Sequence, residues 1–210
     1  MKSPAVDTSN MRLLHNAPPM SRGVHPLAWN TDDMKMTIDF YTRILGMPLV
    51  HAFKVPPGVS RGNPPFERIR HYFFDAGGDM LLGFFELPKG AKPQGDRNAV
   101  AAMQHCSFTT TEQRFHELVE RMRAAGVELT GPMFVGVGCW SVYFYDPNGI
   151  RLEFTYQMED GDDVRVMERF TQTRGELLEE LRTLYHDEAW LEEMSRHLPK
   201  ERAGKSQVAG

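Results

Sequence analysis

The sequence predicts a mixed α+β fold in which two copies of a strand–helix–three-strand unit pair into one curved sheet, followed by a helical extension. Three observations predict it. Between Val24 and Gln157 the apolar spacing passes twice, in the same order, from strand to helix and back to strands. The two stretches overlay without a gap from the first strand to the start of the second, so that His25 falls on His105, Gly46 on Gly126 and Leu49 on Leu129. After Gln157 the pattern turns wholly helical. A single copy cannot bury both faces of its sheet, so two copies should pair with their helices outside.

The first copy opens with a short apolar run, Leu27–Thr31, followed by Asp32 and Asp33, which are good helix N-caps. Met34, Ile38, Tyr41 and Leu45 then recur on one helical face, and Gly46 suits the left-handed residue that ends a helix. Strands are expected at Pro48–Phe53, Arg68–Asp75 and Met80–Leu87, with Gly77 and Gly78 turning the last two into a hairpin.

The second copy starts with a strand at His105–Thr109 and a capping cluster at Thr109–Thr111. Phe115, Leu118, Val119 and Met122 form the apolar face of its helix, and Gly126 stops it. Strands follow at Val127–Thr130, Phe134–Val137, Ser141–Tyr145 and Ile150–Tyr156, with Asp146–Gly149 as a tight turn. Two connections stand out: Lys54–Pro65, a Pro- and Gly-rich stretch that is either a lid or a solvated loop, and the linker Pro88–Asn98. Residues 1–22 read as a loose arm. In the extension 158–210, Val166 to Tyr185 marks a long amphipathic helix and Trp190–Leu198 a shorter one, suited to covering the sheet or to a homodimer contact.

Composition excludes several classes. A net charge of −4 and the lack of a basic stripe give no footprint for nucleic acid. No apolar run approaches the ~20 residues that span a bilayer. Cys106 and Cys139 each sit in an apolar stretch and read as reduced core thiols, which fits a cytoplasmic protein.

Four residues occupy matching edges of the copies: His25 and His105 open the first strands, while Glu86 and Glu153 lie near the ends of the fourth. A carboxylate buried in an apolar run costs several kcal/mol unless it is paired or metal-bound. Glu86 follows Leu-Leu-Gly-Phe-Phe and Glu153 sits between Leu152 and Phe154, so a metal site is expected from the four. Trp29, Tyr72, Phe84 and Trp140, with His71, are candidates to line an apolar pocket for a small-molecule substrate, against the plainer reading that each is packing.

The stretches DFYTRILGM and YDPNGIRLEF, together with QHCSFTT and HYFFDAGGDMLLGFFELP, resemble the vicinal-oxygen-chelate superfamily of glyoxalases, extradiol dioxygenases and bleomycin- and fosfomycin-resistance proteins. The resemblance covers most of residues 24–157. It implies a domain over 23–157, with modules 23–88 and 99–157, whose paired βαβββ units form a cup around one divalent metal. The implied ligands are His105, Glu153 and Glu86. Counting back from Asp33 and Tyr41 puts the remaining histidine position on Pro26, whereas the internal repeat puts it on His25. The resemblance further implies three activities. Extradiol-type oxygenation with Fe(II) stands first, with Tyr143 as the substrate-binding tyrosine and His71 as a substitute proton donor for a histidine missing near Phe134. A lyase or isomerase with a His/Glu/His/Glu site follows, in which Glu86 would act as base; for either metal reading Fe(II) is favoured, with Mn, Ni, Co or Zn as alternatives. A metal-free protein that binds a small molecule in the same cup is the third.

Overall fold

A computed structural model describes residues 24–56, 69–92, 95–96, 98–136, 138–158 and 172–198. The arm 1–22, residues 57–65 of the expected lid, and Val166, Met167 and Phe170 of the expected long helix lie outside the described residues. The chain divides into two compact units, the larger being Ser21–Val166.

In the larger unit the first module runs β1 (Pro26–Thr31), α1 (Met34–Asp39), β2 (Leu49–Lys54), β3 (Arg70–Asp75) and β4 (Leu81–Glu86). The second runs β5 (Cys106–Thr109), α2 (Glu112–Ala124), β6 (Leu129–Gly136), β7 (Cys139–Tyr145) and β8 (Arg151–Gln157). Each module makes its own four-stranded mixed sheet, in the orders β1-β4-β3-β2 and β5-β8-β7-β6. The first and last strands of each module are parallel neighbours, because a helical crossover carries the chain from one edge of the sheet to the other.

The caps are those the side chains dictate. Asp33 accepts from the Met36 amide at the start of α1, and Thr111 accepts from Arg114 at the start of α2. Gly46 and Gly126 end the two helical segments at φ of 71° and 74°, a conformation costly for any residue with a Cβ. After Asp39 the α1 helix widens into a π-helical turn, Phe40–Ile44. Where two strands were expected at Val127–Thr130 and Phe134–Val137, one edge strand, β6, passes straight through Gly131 and Pro132. Its register with β7 shifts between Thr130 and Met133, which is how an edge strand accommodates a proline.

One apolar cluster serves both modules. Tyr41 packs against Phe74 and Phe84 of the first sheet, Phe40 against Phe144 of the second, and Phe115 of α2 against Tyr156 of β8. Since side chains alternate across a strand, these contacts assign a face to every strand residue. Leu27, Trp29, Tyr72, Phe74, Leu82 and Phe84 face the helices in the first module. Phe108, Val142, Phe144, Leu152, Phe154 and Tyr156 do so in the second. The opposite face of each sheet, turned away from α1 and α2, is its open face.

Beyond the apolar cluster, a polar network ties the modules together. Asp146, in the turn before β8, accepts from Tyr41 Oη at 3.1 Å, and Asn148 Nδ2 bridges to Thr37 Oγ1 at 3.2 Å. Thr31 Oγ1 at the end of β1 lies 2.7 Å from Asn148 Oδ1.

The smaller unit contains α3 (Arg174–Leu184), opened by a Thr173–Glu176 capping box, and α4 (Glu188–Ser195), capped by Asp187. Among the described residues no helix is long and apolar enough to cross a membrane.

Candidate functional site

The site residues follow from strand register. In the second module β5 and β8 pair Cys106 with Leu152 and Ser107 with Glu153. Leu152 and Cys106 enter the core, so Glu153 and the residue just before β5, His105, fall on the open face. His105 Nε2 lies 3.0 Å from Glu153 Oε2. On the neighbouring strand Tyr143 stands directly opposite Glu153, its ring edge-on to His105 at 5.7 Å. Arg151 covers the Tyr143 ring at 4.8 Å. His105, Glu153 and Tyr143 are therefore brought together.

Glu153 is buried, and its contact with His105 supplies the partner that an ionised carboxylate needs there. Burial first, and then the Glu153 carboxylate, hold the Tyr143 phenol above its ordinary pKa. Tyr143 is thus a protonated O–H donor at neutral pH. With Arg151 it also lines a cleft of about 440 Å³ that reaches Glu128 and Thr130.

The first module does not repeat this arrangement. β1 pairs Leu27 with Leu82 and Thr31 with Glu86, so Glu86 shares the helix-facing side of Leu82 and Phe84. There its Oε1 accepts from the Met34 amide at the start of α1, at 3.4 Å, and its Oε2 pairs with Arg70. Glu86 completes a helix cap and an ion pair, which is why it tolerates its apolar neighbours. It also sits at the far end of the β1–β4 pair from His25, whose carbonyl accepts from Leu81, a separation of roughly 16 Å over five strand residues. The structure therefore does not bring Glu86 together with His25, the pair expected at a metal with Glu86 as base. Glu86→Ala should lower the unfolding free energy by about 1 kcal/mol and leave metal content and ligand binding unaltered. Calorimetry with elemental analysis checks both.

The gap-free overlay of the two copies is itself one residue out of phase. His105 is on the open face and Cys106 in the core, whereas Pro26 is on the open face and Leu27 in the core. Pro26, not His25, therefore stands where His105 stands, since a shift of one residue turns every side chain to the other face. By the same count Glu153 corresponds to Gly83. Among the described residues, no three His, Cys, Asp or Glu side chains gather as a metal cluster, and the expected four-ligand set is not assembled.

The structure turns the aromatic residues read from the sequence toward the helices. Phe84 is fully buried, and Tyr72 and Trp140 pack against the same core; Trp29 also packs there but in addition borders a cleft with Thr31, Leu87 and Asn148. The aromatic residues that do occupy the open face of the first module are Phe53, Phe73 and Phe85, with His51 and His71 among them. Of these only His71 was singled out by sequence. Odd–even alternation within β2 and β3 carried the signal for the rest, and reading it required knowing which parity is core.

Comparison with known proteins matches residues 23–154 to the Glyoxalase/Bleomycin resistance protein/Dioxygenase superfamily. Among solved structures, a glyoxalase/dioxygenase from Nostoc punctiforme is similar at 25% identity and a TM-score of 0.53, over 72% of this chain and 100% of that one. A glyoxylase/bleomycin resistance protein/dioxygenase domain from Frankia sp. EAN1pec is similar at 20% identity and 0.54, over 67% and 95%. A glyoxalase family protein from Enterococcus faecalis is similar at 18% and 0.51, over 64% and 97%. No curated protein matches the chain.

Proposed function

The chain belongs to the Glyoxalase/Bleomycin resistance protein/Dioxygenase superfamily, and on that premise we propose that it binds a small oxygenated molecule directly through His105, Glu153 and Tyr143. The observation that carries this reading is the 3.0 Å contact of His105 Nε2 with Glu153 Oε2 on the open face of the second module. A carboxylate–imidazole pair can take up or release a proton, and the Tyr143 phenol donates a hydrogen bond to an oxygen. Glu153 orients the His105 ring, while the Arg151 guanidinium holds Tyr143 beside them.

The residues present do not fit the closed His/Glu/His/Glu metal site. Glu86 is committed to α1 and Arg70, and Pro26 and Gly83 hold the two positions that would mirror His105 and Glu153. Binding without metal is therefore the best-supported of the three activities. The metal-dependent dioxygenase or lyase/isomerase is the second reading. It is favoured by the same His–Glu contact, since one imidazole and one carboxylate on one face are half of such a donor set.

Elemental analysis and a catechol titration in the presence of chelator separate the two. The expected outcome is far less than one metal per chain, with catechol binding that survives the chelator. Glu153→Gln and His105→Ala should each weaken that binding tenfold or more, about 1.4 kcal/mol. Near-stoichiometric metal that is lost in both variants would instead establish the metal-dependent reading.

A further inference from the structure

The open face of the first module carries a group of rings that nothing above assigns. His71 stacks on Phe85 with centroids 3.6 Å apart and planes at 19°, and meets Phe73 at 4.2 Å and Phe53 at 5.5 Å. Phe53 and Phe73 are near parallel at 6.2 Å. The stack exists because β4 has Gly83 at this point. A Cβ there would stand 3.0 Å from His71 Nε2 and 3.3 Å from the Phe73 ring. Where the second module uses Glu153, the first leaves a slot filled by an imidazole.

His71 Nε2 is buried in that slot with no hydrogen-bond partner among the described residues. A bare lone pair there costs less than an unmade N–H, so the proton belongs on Nδ1. The ring is also held neutral. Burial depresses its pKa, with the neighbouring His51 adding to the effect, and among the described residues the groups facing it are His51, Phe53, Phe73 and Phe85, none of them a carboxylate. His71 therefore offers one uncharged N–H donor inside a patch of aromatic rings. Phe53 remains 37% exposed beside the His51, His71 and Phe73 rings.

We propose that this face binds a planar aromatic molecule whose carbonyl or phenolic oxygen accepts from His71 Nδ1. An aromatic ring gains offset or edge contacts with Phe53 and Phe73 that a saturated ring of equal size does not. His71 is here a positioning residue. The proposal extends the small-molecule reading by supplying the ligand's class, and its residues are separate from His105, Glu153 and Tyr143.

The test is a fluorescence titration of the full chain with 7-hydroxycoumarin, with cyclohexanone as the saturated carbonyl competitor. Phe73→Leu and His71→Phe should each weaken coumarin binding at least tenfold, His71→Asn should recover part of it by restoring an amide donor, and cyclohexanone should not compete. Coumarin binding indifferent to all three variants, or displaced equally by cyclohexanone, overturns the proposal. Light scattering supplies the other refutation: if Phe73→Leu converts a dimer to a monomer and coumarin never binds, the face is covered by a second copy. Loss of binding in Glu153→Gln but not in the aromatic variants would refute this inference while leaving the second-module site standing. The reverse pattern would do the opposite.

Discussion

Phe84→Ala should lower the unfolding free energy of the larger unit by about 3–5 kcal/mol, the usual cost of removing a buried phenylalanine. Phe84 is fully buried and contacts Tyr41 at 4.9 Å, Trp29 at 5.6 Å and Phe74 at 5.9 Å. It is the ring on which α1 and the β1–β4 pair close, and its neighbours are themselves bulky and fixed, so the cavity should not collapse. For a unit of this size the loss corresponds to roughly 10 °C in Tm. Ligand binding measured well below the transition should be unaffected, because Phe84 points away from the open face. A Tm within a few degrees of wild type, or a selective loss of ligand affinity, would mean that Phe84 lines a pocket after all.

Asp146→Ala should cost about 3 kcal/mol or more, through a different mechanism. Asp146 is 4% exposed and its two oxygens serve four donors. Oδ1 accepts from the Asn148 and Ile150 amides at 2.9 and 2.7 Å, and Oδ2 accepts from Tyr41 Oη and Asn148 Nδ2 at 3.1 and 3.0 Å. Removing the carboxylate strands several buried donors at once and loosens the tie between modules. Asp146→Asn keeps Oδ1 for the two amides and should lose noticeably less.

The pH dependence runs opposite to that of a surface ion pair. Burial raises the Asp146 pKa against the pull of its hydrogen bonds. The folded protein therefore holds this proton more tightly than the unfolded chain, whose carboxyl titrates near 3.8. The resulting contribution is fully present below that value and is lost as pH rises through the folded pKa. Stability measured for wild type minus Asp146→Asn should accordingly fall as pH climbs out of the acid range. A difference that rises with pH would sink this account.

Much of the fold was legible because it rests on local rules. Asp33 and Thr111 cap because short oxygen-bearing side chains reach the orphan amides of a first turn. Gly46 and Gly126 stop their helical segments because only a residue without Cβ takes a positive φ cheaply. Phe115, Leu118, Val119 and Met122 are buried as their spacing requires, and Asp146–Gly149 turns as its residue types require. Even the pairing of His105 with Glu153 was within reach, since a polar pair in apolar strands needs mutual satisfaction.

What sequence alone could not decide was parity and company. Pattern matching aligned His25 with His105, but the core contacts of Leu27 and Cys106 reveal that the copies are one residue out of phase, so Pro26 takes the open-face position. Glu86 satisfied every sequence criterion for a buried ligand, yet its partners are the Met34 amide and Arg70, which lie 52 and 16 residues away along the chain. Trp29, Tyr72, Phe84 and Trp140 could equally have lined a cavity or filled a core, and the helices chose the core by packing on their side of the sheet. The sequence by itself determined the elements, their order and their caps, because those depend on residues within a few positions of one another. The faces, and with them the make-up of the site, were decided only by the tertiary structure, because a strand side chain acquires an inside and an outside only when something packs against it.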